Sequence, residues 1–339
     1  MNKDEKYLLA GSSLHTIVNL GLIGVEWALF AYLVYIRPLT NKNYNLKKDF
    51  NAKKIKIVDF PKDIIENTNK VNSNKINTIN EDQIKKFVSV LEKNTKEENL
   101  KLLNNNLKTL NIKKSSFFFH KMLGIDTIAA YVVGTNTIKL SEKEYNDAIY
   151  HELFHLASSY YYKKEKIYFS GFSVLYSNNQ GMGNGINEGY TQLLTNRLFN
   201  DTTPYYVMEQ NCASIVEAIV GKEKIMDLYF NADLNGLISE LSKYSSKDDA
   251  YNFIRNLDIL SAHIADNHLN KKSRALLTDL LYDVNTFLTD SFNKKLVSMG
   301  YTDSEKEAIL DKFYGAFPYE VTFNGFTYNV FYSSKQKKK

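Results

Sequence analysis

Between Ser115 and Leu156 the hydrophobic pattern changes period once, and that change fixes what this part of the chain can become. SSFFF, TIAAYVV and TIKL read as strands, the last two separated by the turn residues Gly134, Thr135 and Asn136. After Leu140 the apolar positions shift to helical spacing through Tyr145, Ala148, Ile149, Leu153 and Leu156, and Ser141 with Glu144 three residues later has the form of a capping box. Short strands feeding directly into an apolar helix specify an α+β arrangement with a helix packed on a sheet.

That helix carries HELFH. His151 and His155 are four residues apart, so on a helix they project from one face a single turn apart and can occupy two corners of a tetrahedral zinc site. Glu152 lies about 100° further round the same helix, beside a metal but badly placed to bind it. It is the expected general base. A catalytic zinc site needs a third protein ligand and leaves a fourth position to water. Glu188 is the candidate, since it opens an apolar helical pattern with Leu193, Leu194 and Leu198 on its inner side and Asn187 as its expected cap.

HELFH followed by NEGYTQ resembles the gluzincin zinc metallopeptidases, over about residues 138–198. The resemblance implies one zinc ion held by His151, His155 and Glu188, and Glu152 as the base in hydrolysis of a peptide or protein substrate. It also implies a zincin-like mixed sheet whose edge strand, TIAAYVV or TIKL, binds an extended peptide beside the HExxH helix. Many gluzincins place an acid four positions after the third ligand. This chain has Gln192 there, whose amide oxygen can accept an imidazole N–H with less electrostatic support. A donor to the developing oxyanion is expected as well. Tyr190, Tyr205, Tyr206, His263 and His268 are candidates, Tyr190 and His263 foremost.

The rest of the chain supplies context. Residues 17–36, IVNLGLIGVEWALFAYLVYI, match the ~20 residues a helix needs to cross a bilayer, with Arg37 and Pro38 directly after. The expectation is a single-pass membrane anchor over 1–38. The basic residues after it favour a cytoplasmic C-terminal domain only weakly and leave the side open. Residues 39–114 read as an Asn/Lys-rich tether with one short strand at KIKIVDF, followed by two helical stripes. Residues 115–230 are the expected catalytic domain, with IYFSGFSVLYSNNQGMGNG as a strand or hairpin over the cleft. Residues 231–339 are a helical subdomain closing in a hairpin around Asn324 and Gly325 and a basic tail.

Several functions are excluded or disfavoured. Cys212 is the single cysteine, so there is no intrachain disulfide and no Cys-rich zinc ribbon. The net charge of +5 comes without any nucleic-acid-binding motif, and no nucleic-acid partner is expected. His120 stands without spaced partners and reads as structural. Gly181, Gly183 and Gly185 read as a loop turning into the Glu188 helix, since no Lys-Ser/Thr follows to complete a phosphate loop. The alternative to an enzyme is a catalytically inactive zinc-binding or interaction module at the membrane.

Overall fold

The computed structural model describes residues 46–49, 51–59, 80–115, 129–141, 148–178, 180–201, 205–264, 269–315, 320–323 and 326–329. The apolar run 17–36, SSFFF beyond Ser115, Glu144, His120 and His268 lie outside them. Among the described residues no helix is long and apolar enough to cross a membrane.

The architecture is α+β, with small sheets in the first half and helices dominating the second. Helix α1 (Glu81–Asn94) and helix α2 (Lys101–Leu107) precede a three-stranded sheet of β1 (Asn111–Ser115), β2 (Ala129–Val132) and β3 (Thr137–Ser141). The sheet is mixed, in the order β1-β3-β2: β1 runs parallel to β3 and β2 antiparallel to it. TIKL is therefore the central strand, and the edge on the helix side is the AAYV of β2. β1 starts at NIKKS, earlier than the aromatic run suggested, because its parallel partner lies some 25 residues downstream and leaves no local signal. Ser141 closes β3, so it is a strand residue rather than a helix cap.

Helix α3 (Ala148–Ala157) follows. Every residue from Ile149 to Ala157 is buried, as expected of a helix enclosed on all sides. Phe154 packs edge-on against Phe87 of α1 with ring centroids 4.9 Å apart. Past the end of α3, Asn106 of α2 donates to the carbonyls of Leu156 and Ser159, at 2.8 and 2.7 Å, satisfying acceptors that the helix leaves open.

The segment expected as a strand or hairpin is a four-stranded antiparallel meander: β4 (Ser159–Tyr162), β5 (Ile167–Ser170), β6 (Ser173–Tyr176) and β7 (Gly181–Met182). It leads into α4 (Asn184–Phe199), which begins one turn before the position the sequence suggested. Asn187 is inside this helix and does not cap it. The helices α5 (Val207–Val220), α6 (Lys222–Phe230), α7 (Leu234–Leu241), α8 (Lys247–His263), α9 (Lys271–Ser298) and α10 (Asp303–Gly315) form the layer beyond. In the hairpin of β8 (Glu320–Phe323) and β9 (Phe326–Asn329), Phe323 pairs with Phe326. One apolar cluster runs from Leu46 to Leu296 and joins the elements that precede the hairpin.

Residues 54–59 have no regular secondary structure and are held by side chains of the helical layer and of the meander. Tyr251 accepts from the Ile55 N–H (2.8 Å), Tyr176 accepts from the Val58 N–H (3.1 Å) and donates to the Lys56 carbonyl (2.6 Å), and Asn235 donates to the Ile57 carbonyl (3.2 Å). The described part of KIKIVDF, residues 54–59, is thus a strap fastened by side chains, and no strand is assigned to it.

Candidate metal centre

Helices α3 and α4 face each other with three donor atoms converging on one point. His151 Nε2 lies 3.0 Å from His155 Nε2 and 3.1 Å from Glu188 Oε2, which is 3.4 Å from His155 Nε2. Two ligand atoms each ~2.0–2.1 Å from a tetrahedral zinc ion stand roughly 3.3–3.4 Å apart. The observed spacings are within a few tenths of an ångström of that, so the donor set fits such an ion. The group His151, His155 and Glu188 can hold a metal ion, and both histidines are only 8% exposed.

The far side of each ring is also fixed. His151 Nδ1 is 3.0 Å from Gln192 Oε1. The Gln192 amide nitrogen faces the Asn196 amide at 2.6 Å and Asp201 Oδ2 at 3.3 Å, which orients the amide oxygen toward the ring. With the proton on Nδ1, facing Gln192, the His151 Nε2 lone pair would be available to a metal ion at the common centre. The acid missing at position 192 is replaced by Asp201, one hydrogen bond further back. Asn187 Nδ2 lies 3.3 Å from His155 Nδ1, while Asn187 Oδ1 accepts from the Phe172 N–H (3.1 Å). Gly171 makes this approach possible: its φ is +53°, and a Cβ there would stand 2.2 Å from Asn187 Oδ1.

Glu152 is buried beside the pair, and its carboxylate accepts from the Tyr131 backbone N–H on the edge strand β2. Burial pushes its carboxyl up to about 7; the neighbouring Glu188 adds to that rise, and His151 and the Tyr131 N–H oppose it. Glu188 moves the other way. Burial raises it too, but the charge of His155 and the hydrogen bonds of both imidazoles outweigh burial and hold it well below the usual carboxylate range. Two carboxyls that both interact with His151 are thus driven apart, which is the pattern that separates a proton carrier from a fixed anion.

Of the oxyanion candidates, Tyr206 is the one brought to the centre. It precedes α5 with φ +53°, its ring stacks on His151 with centroids 5.5 Å apart, and its hydroxyl hydrogen-bonds Glu188. The charge of Glu188 first, then burial, then Glu152 and Glu209 raise its pKa, so it stays a neutral O–H donor. Tyr206 as a whole is 42% exposed and borders solvent. Tyr190 points away: its hydroxyl bonds Glu217 (3.3 Å) and its ring packs among Phe172 and Tyr229. His263 pairs with Asp49 at 2.8 Å, at the strap. Tyr206 was hard to single out among 24 tyrosines; its one local signal is its place directly before a helical run.

No protein-family model matches the sequence, and neither a curated protein nor a solved structure matches the chain.

Proposed function

We propose that this chain is a zinc-dependent peptidase of gluzincin type, with His151, His155 and Glu188 as metal ligands and Glu152 as general base. The observation that carries the reading is the convergence of two imidazole nitrogens and a carboxylate oxygen within 3.4 Å, with a buried Glu152 alongside. A zinc ion bound there would polarise a substrate carbonyl and lower the pKa of a water molecule toward ~7. Glu152, with its carboxyl near 7, is suited to take a proton and return it to a leaving amine. Tyr206 is the donor proposed for the developing oxyanion, replacing Tyr190 and His263 in that role. The edge strand β2, one hydrogen bond from Glu152, is the proposed seat of an extended peptide. Anchoring through the apolar run 17–36 remains part of the proposal.

The test is zinc stoichiometry together with hydrolysis of a mixed peptide library by the full chain and its Glu152→Gln form. The reading requires one zinc per chain in both proteins and hydrolysis by the native one alone. Equal turnover by the two rules out Glu152 as base; zinc without hydrolysis in either favours the non-enzymatic module.

A further inference from the structure

The helix that carries Asn187, Glu188 and Gln192 is fastened at its first turn by a residue more than seventy positions away. Gly183, which caps α4 with φ +88°, and Gly185 donate their N–H groups to the two oxygens of Asp258, each at 2.7 Å, and the Asn184 N–H bonds the same carboxylate. No side chain of α4's own caps this end. Helix N–H groups left open at an N-terminus, with the positive end of the helix dipole, are what a carboxylate satisfies best. The glycines make the seat tight. A Cβ at Gly183 would lie 1.9 Å from the Phe172 carbonyl oxygen, and one at Gly185 2.9 Å from that of Leu257, next to Asp258 on α8.

Everything on α4 that touches the imidazoles follows rigidly from this point: Asn187 against His155, Glu188 between the rings and Gln192 against His151. A one-residue slip of a helix moves each side chain by about 1.5 Å and 100°, enough to take Glu188 out of reach of both Nε2 atoms. The anchor also accounts for Gly183 and Gly185, whose N–H groups, which could cradle a phosphate, already serve an internal carboxylate, while Gly181 belongs to β7. We propose that Asp258 is a positioning residue for the metal centre, setting the register of α4 against α3 and with it the geometry of the ligand Glu188 and of the two ring partners. This rests on the metal-binding reading of His151, His155 and Glu188.

Two measurements on the full chain keep the two ideas apart. Amide hydrogen exchange over residues 183–192, taken on ion-free protein, reports the anchor whether or not metal binds. Titration with zinc, and with cobalt(II) followed by its visible absorption, reports the ligand geometry. Asp258→Asn preserves shape but turns one acceptor into a donor, and Asp258→Ala removes the group. Both should speed exchange over residues 183–192 at least tenfold while leaving α1 protected, weaken zinc binding about 10–100-fold, as loss of a ligand's supporting contacts does, and change the cobalt spectrum. Should Asp258→Ala fail to fold, Asp258→Asn decides. Native-like exchange, or native-like zinc affinity with an unchanged cobalt spectrum, in Asp258→Asn overturns the proposal. A native chain that binds no metal, with exchange still accelerated in Asp258→Asn, overturns the metal reading and the positioning role together and leaves only a helix cap.

Discussion

Two polar clusters of the molecule differ in one respect. In one, Arg255 donates to the carbonyls of Asp49 and Ala52, each at 3.1 Å, His263 meets Asp49, and Tyr251 holds Ile55 of the strap. Donors there face acceptors. In the other, α4 and α3 bring two imidazole nitrogens and a carboxylate oxygen to one point, with a second buried carboxyl behind them. At most a hydrogen on His155 Nε2, whose Nδ1 takes the Asn187 amide donor, stands among three atoms that can all act as acceptors. The first cluster is complete as it stands and explains how an Asn/Lys-rich segment is held on a helical layer. The second needs a cation between its members, a proton or a metal ion, and buried polar groups so arranged are costly unless that cation is present. The same residue types thus make a fastening in one cluster and a centre of chemistry in the other, and the sign of the missing charge tells them apart.

The largest effect expected from this contrast is at Glu152. Glu152→Gln should keep zinc at one per chain and lower peptide turnover about 10²–10⁴-fold, the usual share of a positioned general base; retained turnover in steady-state assays sinks the proposed base. Next is the cation itself. Zinc at a thousandfold excess over Kd should stabilise the folded native chain by about 4 kcal/mol, read as a rise in Tm, and chelation should reverse it. His155→Ala, which leaves Glu188 a single imidazole, should lose most of that zinc-dependent rise. An equal rise in both proteins would mean that zinc binds elsewhere.

Asp258 sharpens the comparison through pH, because it belongs to neither pattern: a half-buried acid whose carboxylate takes three backbone N–H groups. Burial lifts its carboxyl to about 7, with the Gly185, Gly183 and Asn184 N–H groups opposing. In the unfolded chain the group titrates near 4. Between about pH 4 and pH 7 the folded protein therefore keeps a proton that the unfolded chain has released. Bound protons are more numerous in the folded state, so this group's contribution makes stability fall as pH rises through that window and stay level outside it. Asp258→Asn has no proton to lose. The stability difference, native minus Asp258→Asn, should shrink by about 2–4 kcal/mol from pH 4 to pH 7 in denaturant titrations. A difference that grows with pH would show a carboxylate better satisfied than its burial implies.

What could be read from the sequence follows the range of the interaction involved. The HELFH helix is legible because both its burial and the four-residue His spacing are local, and Glu188 and Gln192 are legible as the inward side of the next helical pattern. The start of α4 was misplaced because its cap comes from Asp258, which no local pattern announces. Asp201 was missed because it reaches the site only after the left-handed turn at Asn200 brings the chain back to Gln192. The parallel strand β1 and the strap escaped for the same reason: their partners, β3 in one case and Tyr251, Arg255 and Asn235 in the other, lie far along the chain.

The smallest effect is the one that tests whether the two clusters are independent. Arg255 and Asp258 are three residues apart on α8 and so neighbours on its surface, yet one is bonded to the strap and the other to α4. Arg255→Ala leaves the Asp49 and Ala52 carbonyls without this donor but exposes them to water, so the expected loss in urea titration is about 1–2 kcal/mol. Because Asp258 keeps its three N–H donors in this variant, zinc affinity should stay within twofold of native. If Arg255→Ala instead weakens zinc as much as Asp258→Asn does, the strap and the metal centre are coupled through α8. The segment before residue 60 would then act on the ligand geometry, and the division between a completed fastening and a centre awaiting its cation would have to be replaced by a single connected device.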